Sequence, residues 1–373
     1  VHTRNHLDAR GQFVFDGNGR RCNLAQLAVN AEAHAVGLFI RFEVNVRCAR
    51  LDRVEQHLVD EPHDRGVIGR RRDAGVVVRP ILVESFEIEI VEIVDPLLGW
   101  GLPQLRDFPW RQTNNRWHVL VSEVMSQQTQ VHRVVPKFNL FLEQFPTPTV
   151  CAGASLGELL EIWQGLGYPR RCRNLHEAAK VMVLRHNGEV PTTLEELVAL
   201  PGVGDYTARA VMAFADHADV GVVDTNVARV LARVHNKVLG KKEVQLIADA
   251  IVPEGLGWEW NQVMMDFGAT VCSARAPQCS SCIINNHCGW RKIGGDDPAP
   301  ATAGTSKPQS RFEGSDRQAR GKLMKALVSG AVRVSDASKV MGLIEQPERC
   351  NAIVQSLLED GLIAQANEWY QQP

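Results

Sequence analysis

The stretch Thr193–Val211, TLEELVALPGVGDYTARAV, decides the fold because it predicts two helices joined by one sharp turn. The segment Pro201–Gly204 breaks the first helix, and a second helical pattern starts directly after it. Two glycines permit a tight turn and a close approach of the backbone to a phosphate. We therefore expect Gly202, Val203 and Gly204 to grip a nucleic-acid backbone without reading its bases, the alternative being an ordinary helix–helix turn.

A dense basic cluster precedes this hairpin at Arg170–Arg173, directly after the sequence that ends in Tyr168. Formal net charge is −2, so the overall balance argues neither for nor against nucleic acid, and any affinity must come from local patches. We predict that Arg170 and Arg171 hold a second phosphate. A solvated helix face is the alternative for both arginines.

Four of the nine cysteines fall within 17 residues, in the pattern C-x6-C-x2-C-x5-C. These four are Cys272, Cys279, Cys282 and Cys288. Such crowding on a turn-rich loop favours metal ligation over a disulfide framework. Four thiolates suit either zinc or an iron–sulfur cluster, and spacing alone does not separate the two.

Composition divides the chain into four parts. Residues 1–95 contain thirteen Arg and no Lys, a break that we interpret as a non-native or disordered extension, with an accessory DNA-binding arm as the alternative. Residues 96–290 are a series of amphipathic helical segments, which predicts an all-α core. Residues 291–310 have the composition of a flexible linker, and residues 311–373 predict a small winged-helix-like unit or a plain helical appendage.

The chain contains no run of 18 uncharged apolar residues and does not start with the pattern of a signal peptide. We therefore expect a cytoplasmic protein with no membrane partner.

Taken together, these features resemble the helix-hairpin-helix DNA glycosylases related to endonuclease III and, more narrowly, the MutY-type adenine glycosylases. The motifs that carry the resemblance are Phe108-Pro109-Trp110-Arg111, Ser122–Val131 (SEVMSQQTQV), Gly165-Leu166-Gly167-Tyr168, Leu200-Pro201-Gly202-Val203-Gly204, Val223-Asp224-Thr225-Asn226-Val227 and the four clustered cysteines. The resemblance covers about residues 108–288.

This resemblance implies a two-lobed helical fold in which a target adenine is flipped into the cleft between the lobes. The implied partner is double-stranded DNA with adenine opposite guanine or 8-oxoguanine, bound by a monomer in association with the nucleoid. The resemblance also favours a [4Fe–4S] cluster over zinc at Cys272, Cys279, Cys282 and Cys288. A mispaired base costs least to extrude, so a preference for mismatches is physically reasonable.

Two carboxylates match the family's catalytic pair. Glu123 lies in an apolar helical stretch, where desolvation raises the pKa of its carboxyl group and fits it to donate a proton. Asp224 is the second carboxylate, suited to stabilise an oxocarbenium-like sugar, although it also makes a good helix N-cap. Asn226 resembles the family's asparagine that supports this aspartate.

Three further residues match by position. Tyr206 occupies the hairpin site where the endonuclease III type carries a lysine; tyrosine cannot form an imine, which favours a monofunctional glycosylase. Gln128 and Tyr168 match residues that enter the DNA stack, the first by wedging and the second by stacking.

The sequence also departs from the family. Ser126 stands where leucine is common, and the short tail does not resemble the usual C-terminal domain that helps to recognise 8-oxoguanine. One alternative function is that of an endonuclease III-like glycosylase and lyase acting on oxidised pyrimidines, which Tyr206 disfavours. The other is that of a non-catalytic iron–sulfur DNA-binding module, which the presence of both Glu123 and Asp224 disfavours.

Overall fold

The structure, a computed structural model, describes residues 91–305 and 311–373. These residues form mainly α-helices joined by short turns. The helices of the first range are α1 (Val91–Gly101), α2 (Arg116–Ser126), α3 (Val131–Gln144), α4 (Pro148–Gly153), α5 (Leu156–Trp163), α6 (Arg170–Arg185), α7 (Leu194–Val198), α8 (Asp205–Ala215), α9 (Thr225–His235), α10 (Lys241–Ala250), α11 (Gly257–Thr270) and α12 (Gly289–Ile293).

The first lobe is built from α2 to α8 around one apolar core. Asn115 starts α2 because its side chain accepts hydrogen bonds from the backbone N–H groups of Trp117 and His118. The indole of Trp117 is buried and donates to the carbonyl oxygen of Phe145 at 2.9 Å, so its polar atom is paired inside the core. Helix α2 packs against α8 within this lobe.

The second lobe combines α1 with α9 to α12 in a separate apolar core. Ile93, Val94 and Leu97 are almost fully buried in it. The predicted boundary at residue 95 was therefore wrong: residues 91–95, which we expected in the N-terminal extension, form the start of α1. The rest of that predicted extension, residues 1–90, lies outside the described residues.

The tail contains α13 (Asp316–Ser329), β1 (Val332–Arg333), α14 (Ala337–Met341), α15 (Pro347–Glu359), β2 (Ala364–Ala366) and β3 (Trp369–Gln371). The three strands form an antiparallel sheet in the order β1-β3-β2, with Val332 opposite Tyr370 and Gln365 on the other side of Tyr370. Two helices between the first strand and the final hairpin are compatible with the winged-helix-like interpretation, which stays a prediction. This sheet is a small departure from the all-α class.

The tail packs against the first lobe. Its buried residues, Leu323 and Leu357 among them, belong to the same apolar core as α2 to α8. Asp360 holds the two parts together: it accepts hydrogen bonds from Arg170 at 2.6 Å, and its carbonyl oxygen accepts one from Arg173. The chain therefore leaves the second lobe beyond Thr302 and returns to the first lobe at α13.

Part of the predicted linker is packed. Asp297 forms an ion pair with Arg233 of α9 at 2.6 Å, and Ala299 and Thr302 are buried against the second lobe. The composition of residues 291–310 predicted a flexible linker. Up to about Thr305, these contacts instead hold the segment against the second lobe. Within residues 91–305 and 311–373, no helix is both long and apolar enough to cross a membrane.

Candidate active site

A cleft of about 500 Å³ lies between the two lobes, and both lobes supply its walls. The first lobe contributes Glu123 of α2 and Tyr206 of α8, and the second contributes Asp224 and Asn226 at the start of α9. The sequence motifs that predicted a catalytic centre are thus brought together from positions up to about a hundred residues apart.

Glu123 lies at the base of this cleft with only 9% of its surface exposed. The hydroxyl of Tyr206 donates a hydrogen bond to Glu123 Oε2 at 2.7 Å. Burial raises the pKa of Glu123 to about 7, the hydrogen bond from Tyr206 opposes this rise, and the nearby charge of Asp224 adds to it. The carboxyl group can therefore carry a proton near neutral pH, as an acid catalyst must.

Asp224 faces the same cleft from the N-terminus of α9. Its Oδ1 accepts hydrogen bonds from the backbone N–H groups of Asn226 (2.8 Å) and Val227 (2.7 Å), and its Oδ2 accepts from the Asn226 amide at 2.7 Å. Burial raises the pKa of Asp224, while these hydrogen bonds oppose the rise. Asp224 can thus cap α9 and face the cleft at the same time.

Arg229 connects Asp224 indirectly to the cysteine loop. Its guanidinium donates to the Asn226 side-chain oxygen at 2.8 Å and to the backbone carbonyl oxygen of Cys272 at 2.7 Å. A further bond to the Gly268 carbonyl, at 2.6 Å, fixes the same group against α11. The orientation of Asn226, and through it that of Asp224, therefore depends on the position of the Cys272 carbonyl oxygen at the start of the cysteine loop.

The four clustered cysteines line one small cavity beside α9, together with Arg233 and Trp290. Arg233 donates to the Cys272 sulfur at 3.3 Å, and backbone N–H groups of residues 284, 290 and 291 point at the sulfurs of Cys282 and Cys288. Within the described residues, no three His, Cys, Asp or Glu side chains converge as closely as a single metal ion requires.

Among the residues that line the cleft without a predicted role are Arg111 and Gln262. Arg111, the last residue of the Phe108-Pro109-Trp110-Arg111 motif, donates two hydrogen bonds of 2.8 Å to the carboxylate of Asp266, which also accepts from Arg106. Burial alone would raise the pKa of Asp266, but these bonds outweigh it and lower that pKa to about 2. Gln262 is 4% exposed; a polar side chain inside an apolar helix was the available signal.

The hairpin has the predicted turn. Gly202 has a φ of +75°, and a Cβ built there would lie 2.6 Å from the Cβ of Asn174, so this position requires glycine. Gly202 and Gly204 are exposed, whereas Val203 is buried and its N–H donates to the Leu200 carbonyl oxygen at 3.1 Å. The predicted phosphate contact is therefore open to the two glycines but not to the Val203 amide.

Gln128 and Tyr168 both have left-handed backbone, with φ of 54° and 50°. Gln128 lines the cleft and also a second groove on the outside of the first lobe, and Tyr168 lines that groove. Non-glycine residues in this conformation cost energy and often mark functional loops. Gln128 thus stands on the wall that separates the cleft from the groove, and Tyr168 lines the groove side.

The two arginines predicted to hold a second phosphate differ in position. Arg171 points inward: its guanidinium donates to the carbonyl oxygens of Val124 and Met125, and burial lowers the pKa of Arg171 to about 10. These bonds brace the end of α2, so the geometry opposes the predicted phosphate contact of Arg171. Arg170 is mostly exposed but pairs with Asp360 of the tail.

Comparisons with known proteins identify the family of this chain. Residues 121–253 match the HhH-GPD superfamily of base excision DNA repair proteins. A relative from Mycolicibacterium smegmatis, named adenine DNA glycosylase, is 40% identical over 274 residues, which are 72% of this chain and 92% of that protein. A human protein with the same name is 36% identical over 244 residues, covering 60% of this chain and 45% of its own length.

Solved structures give the same fold. A thermostable thymine-DNA glycosylase matches with a TM-score of 0.51 and 27% identity, covering 54% of this chain and 96% of its own. A non-covalent endonuclease III–DNA complex matches with a TM-score of 0.50 and 28% identity, covering 55% of this chain and 95% of its own. Because identity, coverage and the geometry of the cleft agree, the chain belongs to the adenine DNA glycosylases of the HhH-GPD superfamily.

Proposed function

We propose that this protein binds double-stranded DNA and hydrolyses the N-glycosidic bond of adenine paired with guanine or 8-oxoguanine, without cutting the strand. The observation that carries the proposal is the buried Glu123, hydrogen-bonded by Tyr206 and facing Asp224 in a cleft shared by two lobes. The name of the relatives, adenine DNA glycosylase, points to adenine as the excised base, and an endonuclease III neighbour solved as a complex with DNA supports DNA as the ligand.

In the proposed reaction Glu123 starts protonated and gives its proton to a ring nitrogen of the flipped adenine. The bond between that base and C1′ then breaks, and the electron pair leaves with the base. Asp224, ionised and held by Asn226 and two backbone N–H groups, stabilises the positive charge that develops at C1′. Water adds at C1′ and passes its proton to a carboxylate, which leaves an abasic site.

Strand cleavage through an imine would require an amine close to C1′. Tyr206 occupies that hairpin position, and burial first, followed by the charges of Glu123 and Asp224, raises the pKa of its hydroxyl. The hydroxyl therefore stays protonated and serves as a hydrogen-bond donor to Glu123. This arrangement supports a monofunctional enzyme.

We also propose that Cys272, Cys279, Cys282 and Cys288 hold a [4Fe–4S] cluster. Donors aimed at their sulfurs, from Arg233 and from backbone N–H groups, suit thiolate ligands. When bound, such a cluster would cross-link the loop and fix the Cys272 carbonyl oxygen to which Arg229 donates. Iron and acid-labile sulfide analysis of the purified protein, with a visible absorption spectrum, tests this assignment against zinc.

The test of the reaction is a single-turnover incubation with three duplexes: adenine opposite guanine, adenine opposite 8-oxoguanine, and thymine glycol. We expect breaks at adenine that require alkali, and no adduct trapped by borohydride. Nicking at thymine glycol without alkali, with a trapped adduct, would overturn the proposal. The Glu123→Gln variant separates enzyme from binding module, because it should bind DNA but lose cleavage.

A further inference from the structure

A second groove, of about 920 Å³, runs between the first lobe and the tail. One wall is the end of α5 with the loop that leads to Tyr168, and the other wall is α13 of the tail. Met324 and Leu160 lie on its floor, and Arg317 of α13 donates a hydrogen bond to the Tyr168 hydroxyl at 3.3 Å. The groove exists because the tail is docked on the lobe.

The lining of this groove is strongly basic although the chain as a whole has a net charge of −2. Its charged lining residues are Arg133, Arg170, Arg317, Arg320, Lys325 and Asp316. Five cations against one carboxylate in a concave wall focus a positive potential, which favours a polyanion. Asp360 neutralises part of this charge, since Arg170 and Arg320 both pair with it, but it does not line the groove.

The tail presents α13, and not α15, as its basic surface. Helix α13 carries four cations and one carboxylate, whereas α15 carries one cation, Arg349, and two carboxylates. Arg349 is itself paired with Asp316. A tail that read base edges through α15 would have to bring a net negative helix towards DNA, so the charges favour contact through α13 with phosphates.

The groove adjoins the catalytic cleft. Gln128 lines both and so stands on the wall between them, while Tyr168 lines the groove. A duplex whose adenine enters the cleft must straddle this wall. Its second strand, which keeps its bases in the stack, then lies on the far side of Gln128, where the basic groove runs.

We propose that the groove between the first lobe and the tail binds the phosphodiester backbone of the strand opposite the excised adenine. The inference rests on the proposed function, because that function puts the flipped base in the cleft. It assigns the tail a direct part in DNA binding, with Arg317 and Lys325 as phosphate ligands. Arg170 holds the tail on the first lobe through Asp360, which also pairs with Arg320 within the tail.

The experiment measures duplex binding by fluorescence anisotropy over a range of salt concentrations. All proteins carry Glu123→Gln so that the duplex, with adenine opposite guanine, stays intact. The groove variant adds Arg317→Gln and Lys325→Gln, and the matched control adds Lys322→Gln and Lys339→Gln, which remove two exposed tail cations outside the groove.

We expect the groove variant to bind about tenfold more weakly at 0.1 M salt, with a log–log salt slope that is smaller by about 2, or roughly 1 for each lost phosphate contact. The control should keep the slope of the parent protein. The single variant Lys325→Gln, at an exposed position, should reduce the salt slope by about 1. It replaces the double variant if that protein folds poorly. Equal slopes in groove variant and control would overturn the proposal.

To identify the strand, neutral methylphosphonate linkages are placed next to the mismatch, either in the strand that carries the adenine or in the strand opposite it. Placed opposite the adenine, they should weaken binding by the parent protein but have little effect on the groove variant, because the same contact is already lost. If the linkages weaken the parent protein more than the groove variant only when they are placed in the adenine strand, the assignment is overturned. Failure of the proposed function is seen separately, as absence of adenine excision by the protein with Glu123 intact.

Discussion

Replacing Glu123 by Gln should stabilise the protein while abolishing its activity. The carboxyl group is buried, and its pKa is about 7 instead of the ordinary 4.5. Above pH 4.5 the unfolded chain loses this proton more readily than the folded protein does. Folding is therefore progressively disfavoured as the pH rises from 4.5 to 7, and this cost stays constant at higher pH.

The size of the effect follows from the pKa difference. One pKa unit corresponds to about 1.4 kcal/mol, so ionisation of Glu123 costs roughly 3 kcal/mol at pH 8 and less than about 1 kcal/mol at pH 5. Glutamine has nearly the same shape, can still accept from Tyr206, and cannot ionise. The variant should therefore gain stability mainly on the alkaline side.

Calorimetric melting of wild type and variant at pH 5 and pH 8 tests this reasoning. For a body of this size we expect the variant to melt about 6 °C higher at pH 8, and only slightly higher at pH 5. Glu161→Gln, at an exposed site on α5, is the matched control and should shift neither melting temperature. A difference between Glu123→Gln and wild type that does not change with pH would refute the buried-charge argument.

Three other perturbations test the network around this site. Tyr206→Phe removes a bond that lowers the pKa of Glu123, so the alkaline limb of the single-turnover pH–rate profile should move up by about one unit; an unmoved limb would mean that Glu123 is not the acid. Arg229→Gln should slow cleavage about 10- to 100-fold while changing duplex affinity less than about twofold, and equal losses in both would contradict a positioning role. Gly202→Ala forces a side chain into left-handed backbone against Asn174, so it should cost about 1–3 kcal/mol in a melting experiment and weaken DNA binding, whereas Gly204→Ala, at negative φ, should be milder.

Local patterns in the sequence account for the parts of the site that could be predicted. The hairpin glycines, the apolar surroundings of Glu123 and the N-cap position of Asp224 each depend on neighbours within a few residues. The structure brings Glu123, Asp224 and Tyr206 to one cleft, as the family resemblance implied. Their proposed chemical roles remain predictions.

Contacts between distant residues account for what sequence reasoning could not reach. Arg171 resembles a surface cation, yet it turns inward to carbonyl oxygens more than forty residues away. Asp266 pairs with Arg111 across 155 positions, and no local signal marks that pair. Helix α1 begins in an alternating run of Glu and Ile that is typical of a strand, but burial of Ile93 and Val94 in the second lobe stabilises a helix instead.

The path of the chain has a consequence for biosynthesis. Helix α1 belongs to the second lobe, α2 to α8 to the first, α9 to α12 to the second again, and the tail returns to the first. While the ribosome adds the last sixty or so residues, the apolar surface that will receive Leu323 and Leu357 stays uncovered, for several seconds at ordinary elongation rates. A nascent chain stalled near residue 310 should therefore be a client of chaperones, and release of the C-terminus should end that dependence.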